Sequence, residues 1–160
     1  MRGRVMDSPI GELSLAVDDV GICVVSFGRR DVLPGDDPRL DAAVAQLVSY
    51  FAGELTEFEL PLSVRRGSDF DRAVWIELAR IPYGQTRTYG EIAAAVGDAS
   101  AARAVGVACN RNPLPLVVPC HRVVGAGGKL VGFGGGLPRK RFLLELEAAV
   151  TMQRAWGLSR

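Results

Sequence analysis

The sequence predicts an α+β chain in two units, a small sheet-plus-helix unit over residues 1–64 and a helical unit with a helix-turn-helix over residues 68–160. Three observations predict it. Strand-like alternation is concentrated near the start of the chain, helical periodicity and capping signals take over after Gly67, and residues 63–68, with two arginines and a glycine, read as a short linker between them.

In the first unit, Glu12-Leu13-Ser14-Leu15-Ala16-Val17 alternates polar and apolar residues. Asp18-Asp19-Val20-Gly21 supplies turn chemistry, and Ile22-Cys23-Val24-Val25-Ser26-Phe27 is apolar and β-branched, so the stretch predicts a β-hairpin. Leu40, Ala43, Val44, Leu47, Val48 and Phe51 recur at helical spacing and predict a helix over 38–51. Phe58-Glu59-Leu60 is expected to return the chain to the sheet.

In the second unit, Phe70, Val74, Trp75, Leu78 and Ala79 form one apolar stripe, which Ile81-Pro82-Tyr83-Gly84-Gln85 breaks with a proline and a glycine. Thr88-Tyr89-Gly90-Glu91 satisfies the capping-box pattern ahead of Ile92-Ala93-Ala94-Ala95-Val96. Gly97-Asp98-Ala99-Ser100 ends that helix, and Ser100 is expected to cap the next, over 101–109. Two short helices joined by a tight turn make a helix-turn-helix candidate whose second member carries Ala101, Ala102, Ala104, Gly106 and one projecting arginine, Arg103. Such small residues suit close approach to a nucleic-acid groove, and equally suit tight helix packing. Val123-Val124-Gly125 and 129–133 are expected to pair as a hairpin, and Pro138 suits the first turn of a final helix through Glu147.

The composition, 48% hydrophobic and 23% charged, is that of ordinary globular material. Cys23, Cys109 and Cys120 are odd in number and widely spaced, and His121 is the only histidine, so neither a disulfide framework nor a zinc site is indicated. A soluble protein of a reducing compartment, with no secretory signal or membrane span, is expected. The net charge of +1 hides an asymmetry: 7 basic against 11 acidic residues up to Gly67, net −4, and 12 against 7 beyond it, net +5. A basic second half suits a polyanion partner, though many basic surfaces are only solvated. Gly134-Gly135-Gly136 lacks the Lys-Ser/Thr of a P-loop and reads as a flexible turn.

Pro119-Cys120-His121-Arg122-Val123 carries the chemistry. A thiol attacks as its thiolate, and an adjacent imidazole that takes the proton activates it, which makes Cys120 a candidate nucleophile and His121 its base. Taken alone, the pair reads more readily as a small buried hydrophobe beside an incidental surface histidine.

These strings, taken with Ile81-Pro82-Tyr83-Gly84-Gln85-Thr86, Thr88-Tyr89-Gly90-Glu91-Ile92-Ala93, Ala102-Arg103-Ala104-Val105-Gly106, Arg111-Asn112-Pro113-Leu114-Pro115 and Gly135-Gly136-Leu137 with Lys140, Leu143, Leu144 and Glu147, resemble the O6-alkylguanine-DNA alkyltransferase family. The match covers most of 70–147 in order and spacing; Ser8-Pro9-Ile10-Gly11 and the hairpin resemble its companion domain more loosely. The resemblance implies a ribonuclease H-like first domain and a winged-helix-like second domain. It implies repair of DNA by irreversible, single-turnover transfer of the alkyl group of O6-alkylguanine, and of O4-alkylthymine, to Cys120. By resemblance, His121 deprotonates the thiol through a water, Glu147 orients His121, Tyr89 assists the leaving base, and Asn112 ties the recognition helix to the cysteine loop.

The resemblance further implies that the carbonyls of Cys120 and Val123 read the guanine amine, that the amide of Gly134 faces O6, and that Arg103 enters the stack where the nucleotide is extruded. Ala101, Ala102 and Gly106 would line the minor-groove face. Phe133 stands where many members carry tyrosine, and Gly134 where some carry a larger residue, leaving more weight on Tyr89 and a more open pocket floor. The implied partner is double-stranded DNA, with no cofactor and no metal, in a monomer of the cytoplasm, or the nucleoid if bacterial; cooperative assembly on DNA is open. Competing classes are a lesion-binding protein without transfer, against which Cys120 argues, a cysteine hydrolase, and a transcription factor, for which the recognition helix is poor in base-reading side chains.

Overall fold

The computed structural model describes residues 1–157, which fall into two compact units that divide between Arg65 and Arg66. In the first, β1 (Arg2–Met6), β2 (Leu13–Val17), β3 (Ile22–Phe27) and β4 (Leu33–Pro34) form one sheet in the order β3-β2-β1-β4. The hairpin expected from the alternation is present as β2 and β3, antiparallel with Leu15 opposite Val25. Every residue of the central strand β2 is buried. Helix α1 (Pro38–Phe51) starts on Asp37, whose carboxylate accepts the Arg39 N–H, and presents Leu40, Ala43, Leu47 and Tyr50 as its buried stripe.

Two strands were not legible. Arg2, Gly3 and Arg4 break the apolar alternation of β1, and the two-residue β4 joins it in parallel, a pairing with no local turn to announce it. The expected return strand at 58–60 is absent. The Phe58 ring instead lies 5.5 Å from that of Tyr50, and the chain regains the sheet only at a single bridge between Leu62 and Ile22.

In the second unit, α2 (Asp69–Ala79) opens on a capping box between Ser68 and Asp71. Strand β5 (Arg87–Thr88) leads into α3 (Tyr89–Ala95), whose Thr88–Glu91 capping box forms as expected. Helix α4 (Ala102–Asn110) follows, and the Trp75 indole N–H donates to the Ala108 carbonyl at 2.8 Å, fixing α4 on α2. Ser100 does not cap α4: its hydroxyl and amide both turn to Asp98, at 2.6 and 3.0 Å, and the cap position falls to Ala101 with no side-chain bond.

The hairpin expected over 123–133 does not form. Strand β6 (Val123–Val124) pairs in parallel with β5, while residues 126–128 make a 3₁₀ turn closed by the Gly125 N–H on the Lys129 carbonyl at 2.7 Å. The final helix, α5 (Leu137–Ala155), begins at the expected proline but runs past Glu147 to Ala155. Its buried positions are Lys140, Leu143, Glu147 and Val150, so two charged residues occupy places on an apolar stripe.

Candidate active site

Cys120, His121 and Arg122 form a single 3₁₀ turn, and all three are buried. Adjacent side chains diverge along a regular strand, and a tight turn is the local structure that brings neighbouring residues nearest one another. The approach is strained: Leu116, fully buried, holds φ 76°, a left-handed conformation that branched and bulky side chains rarely adopt. Asn112 braces it. Its amide Nδ2 donates to the Val118 carbonyl at 2.8 Å and its Oδ1 accepts the Leu114 N–H at 2.9 Å, which ties the end of α4 to the cysteine loop.

His121 Nε2 lies 2.7 Å from Glu147 Oε2, and both residues are withdrawn from solvent. The opposite ring nitrogen, Nδ1, is buried and has no hydrogen-bond partner among the described residues. A carboxylate can only accept, so Nε2 carries the proton and the Nδ1 lone pair is the one offered for base chemistry. Burial pushes His121 below its ordinary range and keeps the ring neutral. Burial pushes the Cys120 thiol up; a hydrogen bond from Asn112 and the Lys140 charge oppose it. The resting pair is therefore thiol and imidazole.

Glu147 is held by more than histidine. Its Oε1 accepts from Arg122 Nε at 2.8 Å and from the Gly84 N–H at 3.1 Å, and its Oε2 accepts from Arg122 Nη2 at 3.0 Å. Burial alone would raise the Glu147 carboxyl, but the bonds and charges of His121 and Arg122 outweigh it and hold the group at about 2. Gly84 sits at φ 78°, a conformation that L side chains rarely adopt, and a Cβ there would press on the Thr151 side chain, so the turn favours glycine. Neither Arg122 nor Gly84 had a role from sequence. Both stand within the strings that carry the chemistry, but a fork-to-carboxylate pair 25 positions apart leaves no local pattern.

Lys140 is a third residue to which the sequence assigned no role. Its ammonium is fully buried and donates to the carbonyls of Val131 and Gly132 at 3.1 and 3.2 Å and to Tyr89 Oη at 3.5 Å. It also lies 6.0 Å from the Phe133 ring. The signal available was its spacing of three and seven from Leu143 and Glu147, which puts a cation on the buried face of α5. Tyr89 is half-buried and its hydroxyl donates to the Val131 carbonyl at 3.0 Å. Burial, then the thiols of Cys109 and Cys120, push the phenol up to about 12, so it stays a proton donor at neutral pH.

The remaining expected residues lie around these. Val123 is buried, its N–H donating to the Cys120 carbonyl, while Phe133 is half-buried and Gly134 exposed. A cavity of about 450 Å³ is lined by Tyr89, Ala102, Arg103, Gly106, Asn110 and Gly132, with Val107 and Val131 at its sides. Ala101 lies at the start of the same helix, next to it. Arg103 is exposed and has no hydrogen bond or ion pair among the described residues. Among those residues no group of three His, Cys, Asp or Glu side chains could hold a metal ion, and no helix is long and apolar enough to cross a membrane.

The buried charges make stability depend on pH in a definite direction. Glu147 is lowered from 4.5 to about 2, and His121 is lowered from 6.5, so at acid pH the unfolded chain binds protons that the folded chain refuses. Their stabilisation is complete above about pH 6.5, declines first through His121, and falls further between 4.5 and about 2 through Glu147. Thermal melts from pH 7 to pH 3 are expected to show a steadily falling Tm; a flat Tm from 6.5 to 4 would contradict the neutral, buried ring.

Fold and site together define a class: a buried cysteine followed in sequence by a histidine that is bonded to a buried carboxylate, in a unit with a helix-turn-helix whose second helix presents an unpaired arginine at a cavity. Comparison with known proteins narrows it. The family described as "6-O-methylguanine DNA methyltransferase, DNA binding domain" matches residues 69–149, and its "ribonuclease-like domain" matches 1–64. A methylated-DNA--protein-cysteine methyltransferase of Mycolicibacterium paratuberculosis is 53% identical over 150 residues, covering 90% of each chain. One of Methanosarcina acetivorans is 47% identical over 152 residues, covering 91% of this chain and 97% of that one. The crystal structure of Mycobacterium tuberculosis OGT in complex with DNA superposes with a TM-score of 0.86 at 50% identity, covering 94% of both chains. The chain belongs to the 6-O-methylguanine DNA methyltransferase family.

Proposed function

We propose that this protein repairs DNA by moving the alkyl group of O6-alkylguanine, and of O4-alkylthymine, onto Cys120, once per molecule. The observation that carries the reading is the buried relay in which Cys120 adjoins His121 and His121 Nε2 meets Glu147 at 2.7 Å. The proton of the thiol passes to His121 Nδ1 through a water. The Cys120 sulfur then attacks the alkyl carbon, the carbon–O6 bond breaks with its electron pair leaving on the purine, and a proton or hydrogen bond from Tyr89 neutralises the departing base. The sp³ centre passes through no tetrahedral oxyanion, so donors are needed at the leaving group rather than at an oxyanion hole. A thioether has no easy route back to thiol, which makes the protein its own stoichiometric reagent.

Reaching that carbon requires the nucleotide to leave the stack. The cavity under Arg103 and Gly106 supports a minor-groove approach by α4, with Arg103 filling the gap and the carbonyls of Cys120 and Val123 and the amide of Gly134 reading the base. The chain acts as a cytoplasmic monomer on double-stranded DNA and needs neither metal nor cofactor. The test is mass spectrometry after incubation with excess O6-methylguanine duplex: one methyl on Cys120 per molecule and then no further reaction is expected. Continued turnover would point to a hydrolase, and tight binding with no mass gain to a lesion-binding protein. Arg103→Ala is expected to slow repair of duplex by ~10-fold or more while sparing reaction with free O6-benzylguanine, because unstacking costs a few kcal/mol and the free base needs none. Equal losses on both substrates would remove the stacking role.

A further inference from the structure

Resting on the alkyl transfer proposed above, we infer that Arg122 is a positioning residue for the reaction: by gripping both oxygens of Glu147 in its fork, it keeps His121 an uncharged base with its lone pair on Nδ1. The geometry is a carboxylate shared between a permanent cation and an imidazole. Arg122 Nε and Nη2 reach Oε1 and Oε2 at 2.8 and 3.0 Å, and Nη1 is anchored on the Ile81 carbonyl at 2.7 Å. The guanidinium also lies 5.5 Å from the centre of the Tyr83 ring, so the fork is fixed on two further sides.

A lone buried carboxylate 2.7 Å from an imidazole pulls a proton onto the ring, since a buried negative charge is otherwise uncompensated. An imidazolium has no lone pair and cannot take the proton of Cys120. With Arg122 in place the carboxylate is already balanced, and Glu147 serves as a hydrogen-bond acceptor that selects the tautomer without charging the ring. The other charged and titratable groups around the ring act in the same direction or are engaged elsewhere. Lys140, also on α5, disfavours a second cation. Cys109 on α4 and Tyr89 on α3 are pushed up to about 12 and stay neutral. On α2, Asp71 lies near Arg111 and Glu77 is paired with Arg80 and Arg87.

The chain has one histidine, so its imidazole nitrogen signals in an NMR titration belong to His121 without assignment. In the parent protein at pH 7 the ring is expected to be neutral with the proton on Nε2. In Arg122→Met the midpoint of its titration is expected to rise by roughly one unit or more, and Arg122→Lys, which keeps the charge, should stay nearer the parent. The acid limb of the rate with O6-benzylguanine should move with the midpoint in Arg122→Met, and the double variant R122M/E147Q should move it back.

A folded Arg122→Met whose midpoint and acid limb match the parent, with a loss equal at every pH, would reduce Arg122 to a structural brace and overturn the inference. If Arg122→Met does not fold, the parent decides: an imidazolium or an Nδ1–H tautomer at pH 7 overturns it. Failure of the alkyl transfer itself would appear separately, as a parent protein that gains no mass from O6-methylguanine DNA.

Discussion

Cys120→Ser is expected to gain no methyl from O6-methylguanine DNA under conditions that saturate the parent, while still binding the duplex. The two side chains have nearly the same shape, and a swap at a site braced by Asn112 should alter stability by about 1 kcal/mol or less. Reactivity is another matter. Burial already pushes the softer thiol up, and the neutral imidazole of His121 is too weak a base to generate an alkoxide in the same place. Mass spectrometry checks the transfer and a gel-shift titration checks the binding. A serine variant that still gains a methyl would move the acceptor away from residue 120, to Cys109 or Cys23.

Glu147→Ala is expected to have the larger effect on stability. The carboxylate is buried and joins α5 to the turns at Gly84 and 120–122, so its removal strands the Arg122 guanidinium in the interior. Breaking a buried pair by deleting one partner costs about 3–5 kcal/mol. Transfer should slow by ~10²-fold as well, the lower end of what a positioned general base contributes, because His121 loses the acceptor that sets its tautomer. Urea melts and single-turnover rates measure the two effects. Glu147→Gln keeps an acceptor oxygen and should fall between Glu147→Ala and the parent on both; an alanine variant as stable as the parent would refute the buried network.

The parts of the fold that were legible are those written in local patterns. The turn at 18–21 between apolar runs announces β2 and β3, the spacing of Leu40, Ala43 and Leu47 announces α1, and Thr88 with Glu91 announces α3. Strands β4 and β5 have two residues each and take partners far along the chain, so no periodicity marks them, while β6 was read as a strand but with a nearby partner in place of the distant β5. Ser100 had the right chemistry for a cap and lost it to a nearer carboxylate, that of Asp98.

The site divides in the same way. Cys120, His121, Asn112, Tyr89, Arg103 and Glu147 were read from motif strings and a family likeness; in the structure Glu147 bonds His121, Asn112 bonds the cysteine loop, and Tyr89 and Arg103 line one cavity. Arg122 and Lys140 stood only within the matching strings and received no role, because sequence carries no record of desolvation. Only the folded chain shows one facing a carboxylate and the other three oxygens of the 131–132 loop and Tyr89.

The order in which the relay is threaded along the chain has a consequence for its synthesis. Glu147 follows His121 by 26 positions and arrives on α5. A polypeptide emerging from the ribosome presents its imidazole before it owns the carboxylate that will bond it. Until residue 147 is joined and α5 packs, that ring has no carboxylate to select which of its nitrogens holds the proton, so the last helix to be made is the one that completes the buried pair.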